Sequence, residues 1–402
     1  LLRESTEPFE LVAVDEASTD TTRELAQAGG ARVIELPRPG GYGAALAAAA
    51  RTARYPWLLT LEPDQTHDPA FLPWLLKGRE GADLVIGSRY VRFAFANMPL
   101  ARRTLSMAFN AFFRGLLSLP VRDLSSSFRV YRTSALLEAL PEGTGYDALL
   151  EVLVNLDCAG FRIAEVPVHY RPAAGPRVAE QATQFATEAL MAAGRLWKRR
   201  NSVFSADYDH RAFFSLVVPQ RLWQRRRYQV VRELLGDESG RVVDLGCGSS
   251  MIAMSLPTAI GVDIQFKKLR YLRHLSLPLV QGSLDKIPLA TGAFDAMICS
   301  QVIEHIPRAM IRFSEMNRVL KTGARLVIGT PDYGTVGWNV TETIYKYVMP
   351  GGYADEHVTH FTLASLTQEL ERAGFAVKTH RYVYTGELVM LAIKERESAP
   401  DV

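Results

Sequence analysis

The sequence predicts an α/β protein of two successive domains, and three observations carry that expectation. In the first 200 residues, short apolar runs ending in acids or turn residues alternate with helical patterns. That alternation belongs to α/β domains, whose ligand sites lie at the carboxyl ends of strands. Further on, Val242-Val243-Asp244-Leu245 opens onto the turn Gly246-Cys247-Gly248-Ser249-Ser250, and the apolar run Ala259-Ile260-Gly261-Val262 then delivers Asp263. A glycine turn followed about 20 residues later by an acid is the spacing of a nucleotide-binding βαβ unit. Finally, 402 residues give room for about two or three domains, each able to bury its own core.

Composition narrows the class. An apolar content of 48% with 22% charged residues is ordinary for a globular protein. A net charge of +3 is too small to imply a nucleic-acid partner. Cys158, Cys247 and Cys299 are odd in number and widely spaced, which predicts reduced thiols in a cytoplasmic protein instead of a disulfide framework. No run of 18 apolar residues occurs, so no membrane-spanning helix is expected, and the given start shows no signal peptide.

In chain order, residues 9–14 read as a strand ending in Asp15 and Glu16, followed by a helical pattern over 23–28. The alanine-rich stretch 44–53 predicts a helix packed closely on the sheet, since alanine favours helix and permits near approach. The run 57–61 then ends in Glu62-Pro63-Asp64. Two acids one residue apart beyond a strand end suit a hard divalent cation bridging a diphosphate, although acids there also serve as turn and cap residues. A helical pattern over 69–79 and a strand-like run over 82–90 come next, and residues 102–117 mix apolar bulk with arginines at helical spacing. Pro172-Ala173-Ala174-Gly175-Pro176 closes the sheet region, and a helix pattern over 179–198 places the domain boundary between 200 and 228. Between 195 and 232 basic residues far outnumber Asp207 and Asp209, with Trp197, Phe204, Phe213, Phe214 and Trp223 interleaved. That pattern suits an anionic membrane interface. It equally suits a linker whose aromatics pack on the flanking domains. RNA binding is disfavoured, because no recognition fold accompanies the patch.

In the rear half, Asp244-Leu245-Gly246-Cys247-Gly248 resembles motif I of the class I S-adenosylmethionine-dependent methyltransferases. The runs 294–300, 302–306 and 319–328 are similar to that family's later strands, and the resemblance spans roughly 228–395. Met251 stands where a dinucleotide fingerprint has its third glycine, which argues against a nicotinamide enzyme. The resemblance implies that Asp244, Gly246 and Gly248 hold the methionine part of the cofactor, that Asp263 holds its ribose, and that residues around Ser300 line its sulfonium end. Where the family often has an acid for the adenine amine, this chain reads Gly282-Ser283, leaving Ser283 or Asp285 for that contact. Methyl transfer depends on lining up acceptor and methyl group, and a hydroxyl acceptor gains from a base. His305 is the candidate base, its alternative being a packed or capping residue. His357 and His360 are candidate substrate contacts. As a histidine pair without a third ligand at motif-like spacing, they do not make a metal site from sequence.

The front half, roughly 1–200, resembles family 2 glycosyltransferases of GT-A fold, in particular the polyprenyl- or dolichyl-phosphate sugar synthase branch. The resemblance implies that Asp15 and Glu16 meet the nucleotide of a nucleotide-sugar donor. Glu62 and Asp64 would hold Mg2+ or Mn2+, and Gly87-Ser88-Arg89-Tyr90 would close the donor subsite, with Arg89 its charged member. Within residues 122–129, Arg122 and Arg129 would take the acceptor phosphate, for which a guanidinium fork is suited. Glu151 or Asp64 would serve as general base. Three departures stand out. Glu62 replaces an aspartate, Ser127 replaces a glycine before Phe128-Arg129, and the family's first strand would precede residue 1. The expected layout is a GT-A-like (Rossmann-related) domain over 1–200, a basic, aromatic linker over 201–227, and a Rossmann-like methyltransferase domain over 228–402. The expected activity is bifunctional. Sugar would pass from a nucleotide donor to an acceptor such as polyprenyl phosphate, and a methyl group to a glycan or lipid-linked hydroxyl, at the cytoplasmic membrane face with peripheral contact. The alternative is a methyltransferase carrying a degenerate glycosyltransferase-like binding module.

Overall fold

The computed structural model describes residues 7–62, 66–171, 176–236, 240–256, 258–273, 277–348 and 357–398. Contacts divide the chain into two units, Leu1–Arg200 and Asn201–Val402.

In the first unit, β1 (Val12–Asp15) and β2 (Arg32–Glu35) pair in parallel, with the helix Thr22–Ala28 as their crossover. A four-stranded sheet is built from β3 (Trp57–Thr60), β4 (Leu84–Ser88), β6 (Arg129–Arg132) and β7 (Ile163–Pro167) in the order β3-β6-β4-β7. Strand β6 runs antiparallel to both of its neighbours, while β4 and β7 are parallel. Short β5 (Phe95–Ala96) pairs with β8 (His169–Tyr170). Strand β4 is buried along its whole length, which is why its Leu-Val-Ile run does not alternate with polar residues. The helix Gly41–Thr52 forms over the alanine-rich stretch, and its close approach at Gly43 is to the Gly143 carbonyl and Ala148, not to the sheet.

The second unit holds one seven-stranded sheet. Its strands are β9 (Val242–Leu245), β10 (Ala259–Asp263), β11 (Leu279–Gln281), β12 (Phe294–Ser300), β13 (Leu320–Pro331), β14 (Phe375–Val383) and β15 (Glu387–Lys394), in the order β11-β10-β9-β12-β13-β15-β14. Strands β9 to β13 are parallel, and β15 is antiparallel to both β13 and β14. The chain leaves β9 toward β10 on one side and later returns to β12 on the other. The crevice at their carboxyl ends is therefore a topological switch point, where open α/β sheets bind ligands.

Residues 201–227, read from sequence as a linker, lie within the second unit. They form the helix Tyr208–Phe213 and the start of Val218–Leu235, which buries Val230, Val231, Leu234 and Leu235 against β13, β14 and β15. Much of the basic run is taken up in internal pairs. Arg195 meets Glu151 at 2.5 Å, buried Arg200 meets Asp157 at 2.5 Å, Arg211 meets Asp207 at 3.0 Å, and Arg227 meets Glu387 at 2.6 Å. Among the described residues, no helix is long and apolar enough to cross a membrane.

Candidate active sites

The second unit's site grows out of the end of β9. Gly246 and Gly248 adopt φ of +65° and +54°, a region that disfavours any side chain, and a Cβ on Gly246 would also collide with Val302. The amides of Gly246 and Cys247 donate to the Val262 carbonyl at 2.7 and 3.1 Å, which fastens the turn to β10. Asp263 completes the clasp. Its carboxylate accepts from the Gly248 amide at 2.8 Å and from the Gln265 amide at 2.7 Å.

This turn forms one end of a cavity of about 530 Å³. Asp244 lines it, is 3% exposed, and keeps Oδ2 without a hydrogen-bond partner among the described residues. Burial, and then the charge of Asp263, push its pKa up to about 8. The Ser300 hydroxyl, on the same cavity, is likewise buried without a partner among the described residues. Buried polar atoms without partners are uncommon in native folds, and two of them facing one cavity mark it as a place for a polar ligand. Phe213, Val217, Trp223, Met251, Trp338 and Ile344 give the cavity a broad apolar wall.

A 3-10 turn over Ile303–His305 follows β12 and abuts the glycine turn through Val302. His305 lines the cavity and lies ring to ring with His357, centroids 5.0 Å apart. His357 Nδ1 is 2.8 Å from Glu342 Oε1 and 2.8 Å from the Tyr333 hydroxyl. Burial holds the His357 pKa below its usual value, against the pull of Glu342. Glu304 is fully buried, accepts from the Thr330 hydroxyl at 3.2 Å through Oε2, and has no partner for Oε1 among the described residues. Its pKa is raised by burial to about 8. The two segments are tied together by backbone, since the amides of Val358 and Thr359 donate to the Glu304 carbonyl at 2.8 and 3.0 Å.

The sequence-predicted residues therefore separate. Asp244, Gly246, Gly248, Ser300, His305 and His357 share the cavity, whereas Asp263 and Ser283 lie outside its lining. His360 is exposed and stacks on Tyr333 at 3.9 Å, away from the lining. Sequence reasoning missed Asp209 and Lys268, both on the cavity. They pair at 2.9 Å, and Asp209 accepts from the Ser249 amide at 3.2 Å. No motif announces Asp209, because it sits in the stretch read as linker.

In the first unit a cavity of about 260 Å³ is lined by Glu62, Arg89, Arg102, Ser127 and Tyr170, among others. Glu62 accepts from the Ser127 hydroxyl at 2.5 Å, so the serine that replaces the family's glycine positions the first acid. Asp64 lies outside the described residues. The Arg89 fork is closed on Asp123 at 2.7 and 2.6 Å and also reaches the Ser125 hydroxyl at 2.7 Å. Burial opposes the Asp123 charge, yet the adjoining Arg89 guanidinium holds its pKa below the usual value. Asp15 ends β1 buried, with Oδ1 lacking a partner among the described residues, and Glu16 accepts from the Gly41 amide at 3.2 Å. Neither lines this cavity.

Two assignments are corrected. Arg129 is wholly buried and donates to the carbonyls of Ser126, Leu124 and Leu149 at 2.6, 2.8 and 2.8 Å. It braces the segment from within and cannot reach an acceptor phosphate. Glu151 is also wholly buried and accepts from Arg195 at 2.5 and 3.2 Å, from Arg199 at 3.3 Å and from the Gly143 amide at 2.9 Å. Burial opposes its charge, but these donors hold its pKa below the usual value. A carboxylate so occupied has no capacity left to act as a base. Arg122 is exposed and off the cavity, with its amide on Glu165 at 2.8 Å.

Residues 1–140 match the family model for glycosyl transferase family 2, and residues 243–328 match that for a methyltransferase domain. Over 168 residues the chain is 38% identical to a dolichyl-phosphate hexose transferase of Haloferax volcanii, covering 41% of this chain and 72% of that protein. Over 182 residues it is 32% identical to an undecaprenyl-phosphate mannosyltransferase of Micrococcus luteus, covering 42% and 74%. A solved SAM-dependent methyltransferase from Thermotoga maritima superposes with a TM-score of 0.38 at 20% identity, covering 47% of this chain and all of that one. The two family matches and the relatives thus define a transferase. The chain belongs to glycosyltransferase family 2 through its first unit and carries a methyltransferase domain in its second.

Proposed function

We propose that the second unit binds S-adenosylmethionine at the β9 turn and methylates a hydroxyl, and that the first unit transfers a sugar from a nucleotide donor to a polyprenyl-type phosphate. The observation that carries the first part is Asp244, a buried carboxylate with an unpartnered oxygen on a cavity at the switch point. The methionine ammonium of the cofactor supplies the cation that this oxygen lacks. Gly246 and Gly248 themselves carry no side chain, so their backbone can approach the cofactor closely. Asp263 lies outside the cavity lining; its proposed ribose contact would use lone pairs left beside its two backbone bonds. When bound, the cofactor supplies an activated methyl group. The chain's own residues would orient the acceptor along the apolar wall and exclude water, and His305, on the same lining, would take the hydroxyl proton.

For the first unit, the support is the match to polyprenyl-phosphate sugar transferases together with a cavity that includes Glu62. Glu62, with Asp64, would hold Mg2+ or Mn2+ against the donor diphosphate. A phosphate acceptor is already an anion, so its attack needs no protein base, in keeping with the occupied Glu151. Arg102 lines the cavity and takes over from Arg129 as the proposed phosphate contact. It lies on the helix Leu100–Leu117, whose Leu105 and Phe112 are exposed, and Phe93 and Phe95 are exposed nearby in sequence. These apolar side chains support peripheral contact with a membrane that presents the acceptor.

Calorimetry tests both parts. UDP and GDP are titrated with and without Mg2+ or Mn2+, and S-adenosylhomocysteine separately. Metal-dependent binding of one nucleotide supports an active donor site and identifies its base. Absence of nucleotide binding beside normal S-adenosylhomocysteine binding would leave a methyltransferase with a silent glycosyltransferase fold. Failure of S-adenosylhomocysteine to bind would remove the cofactor assignment.

A further inference from the structure

Glu304, His305 and His357 bring one ligand atom each to within 4.8 Å of one another. Glu304 and His305 are neighbours on the 3-10 turn after β12, while His357 arrives from a distant segment fastened to that turn through the Glu304 carbonyl. We propose that these three side chains form a binding site for a divalent first-row transition-metal ion at the wall of the second unit's cavity.

Three independent observations point there. Glu304 is fully buried with Oε1 unpartnered among the described residues, next to two imidazoles. A carboxylate placed in that position is strongly disfavoured without a cation. Next, His357 has its Nδ1 against Glu342 Oε1 at 2.8 Å, with Tyr333 donating to the same oxygen at 2.6 Å. A carboxylate on one imidazole nitrogen leaves Nε2 with its lone pair for a metal, the arrangement that orients histidine ligands in metal sites. Finally, His305 and His357 line an open cavity, so a bound ion keeps positions for an exogenous ligand, as catalytic sites do and structural ones do not.

The donor set selects the ion. Two imidazoles and one carboxylate suit zinc, manganese, iron or cobalt, whereas Mg2+ and Ca2+ prefer oxygen donors. Nitrogen and oxygen ligands at about 2.1 Å from one ion stand roughly 3–3.5 Å apart. Occupancy therefore draws together any of the side chains that stand farther apart than this within the present 4.8 Å bound.

For function, the inference rests on the methyl-transfer reading. An acceptor hydroxyl bound to the ion loses its proton more readily. Its oxygen lone pair then forms the O–CH3 bond as the S–CH3 bond breaks. The bonding pair stays on sulfur as a neutral thioether, and the hydroxyl proton passes to solvent. The acceptor class is accordingly an alcohol or sugar hydroxyl that can bind a metal through oxygen. His305 then serves as a ligand instead of a base.

The test is a calorimetric titration of Zn2+, and separately Mn2+, into the chelator-treated full chain. Excess Mg2+ is present to fill sites made only of oxygen. The same samples are titrated with S-adenosylhomocysteine. One equivalent of Zn2+ or Mn2+ is expected to bind. Glu304→Gln and His357→Ala should each weaken that binding about a hundredfold or more, and Glu342→Gln by about 10–100-fold, while S-adenosylhomocysteine affinity stays within about twofold. Should one ligand variant fail to fold, the other and Glu342→Gln carry the comparison. Wild-type chain that binds neither metal, or variants that bind as wild type, would overturn the site. Metal binding without S-adenosylhomocysteine binding keeps the site and sinks the methyl-transfer reading instead.

Discussion

Asp244 and Glu304 are carboxylates whose pKa burial lifts to about 8 from ordinary values of 3.8 and 4.5. Between about pH 4 and pH 8 the folded chain keeps a proton on each that the unfolded chain has released. The contribution of these two groups to stability therefore falls as pH rises through that window, while buried His357, whose pKa is lowered, opposes it below about pH 6.5. The unliganded chain should show a melting temperature that declines from about pH 6.5 to pH 8, above the histidine range, and Asp244→Asn should flatten part of that decline. Differential scanning calorimetry across the range checks it, and an unchanged slope in the variant would remove Asp244 as a contributor. Asp263 acts differently, because both of its oxygens already hold backbone amides of the two loops. Asp263→Ala should weaken S-adenosylhomocysteine binding by about 1.5–3 kcal/mol, the scale of a lost charged hydrogen-bonding partner. Unchanged affinity would mean that the ribose contact lies elsewhere.

At the level of elements, the segment from Asp123 to Arg129 shows how one charge pattern can serve structure. Asp123 locks Arg89, while Arg129 turns inward to satisfy three carbonyls. Replacing Arg129 by Leu leaves those buried carbonyls without donors. The expected cost is about 3 kcal/mol or more of stability, read as an earlier denaturant midpoint. Acceptor-phosphate affinity should not respond selectively. The helix Pro176–Arg200 plays a similar part, bringing Arg195 and Arg199 to the buried Glu151. Strand ends were legible beforehand, since Asp15, Asp244 and Asp263 all fall at or next to the carboxyl ends of β1, β9 and β10. The inward turn of Arg129 was not legible, because a charged residue in a polar segment reads as exposed until its carbonyl partners are placed around it.

Across the whole molecule, the first unit's core gathers Leu84, Ile86, Phe113 and Leu150, and the second's gathers Val243, Met297, Leu326 and Met390. Each unit thus closes its own core from its own residues, which predicts two separable thermal transitions. S-adenosylhomocysteine at about 100 times its dissociation constant should raise one of them by about 2.7 kcal/mol of added stability and leave the other in place. Calorimetric scans with and without the ligand decide this, and a joint shift would show one cooperative unit. The sequence by itself determined the two α/β units, the glycine turn after β9 and the transferase families, because these rest on local periodicity and on backbone conformations that only certain residues adopt. Tertiary structure alone decided that residues 201–227 belong to the second unit, that Arg129 and Glu151 are internal braces, and that Glu304 and His305 meet His357. Burial and pairing depend on partners far away in the chain, which no local pattern encodes.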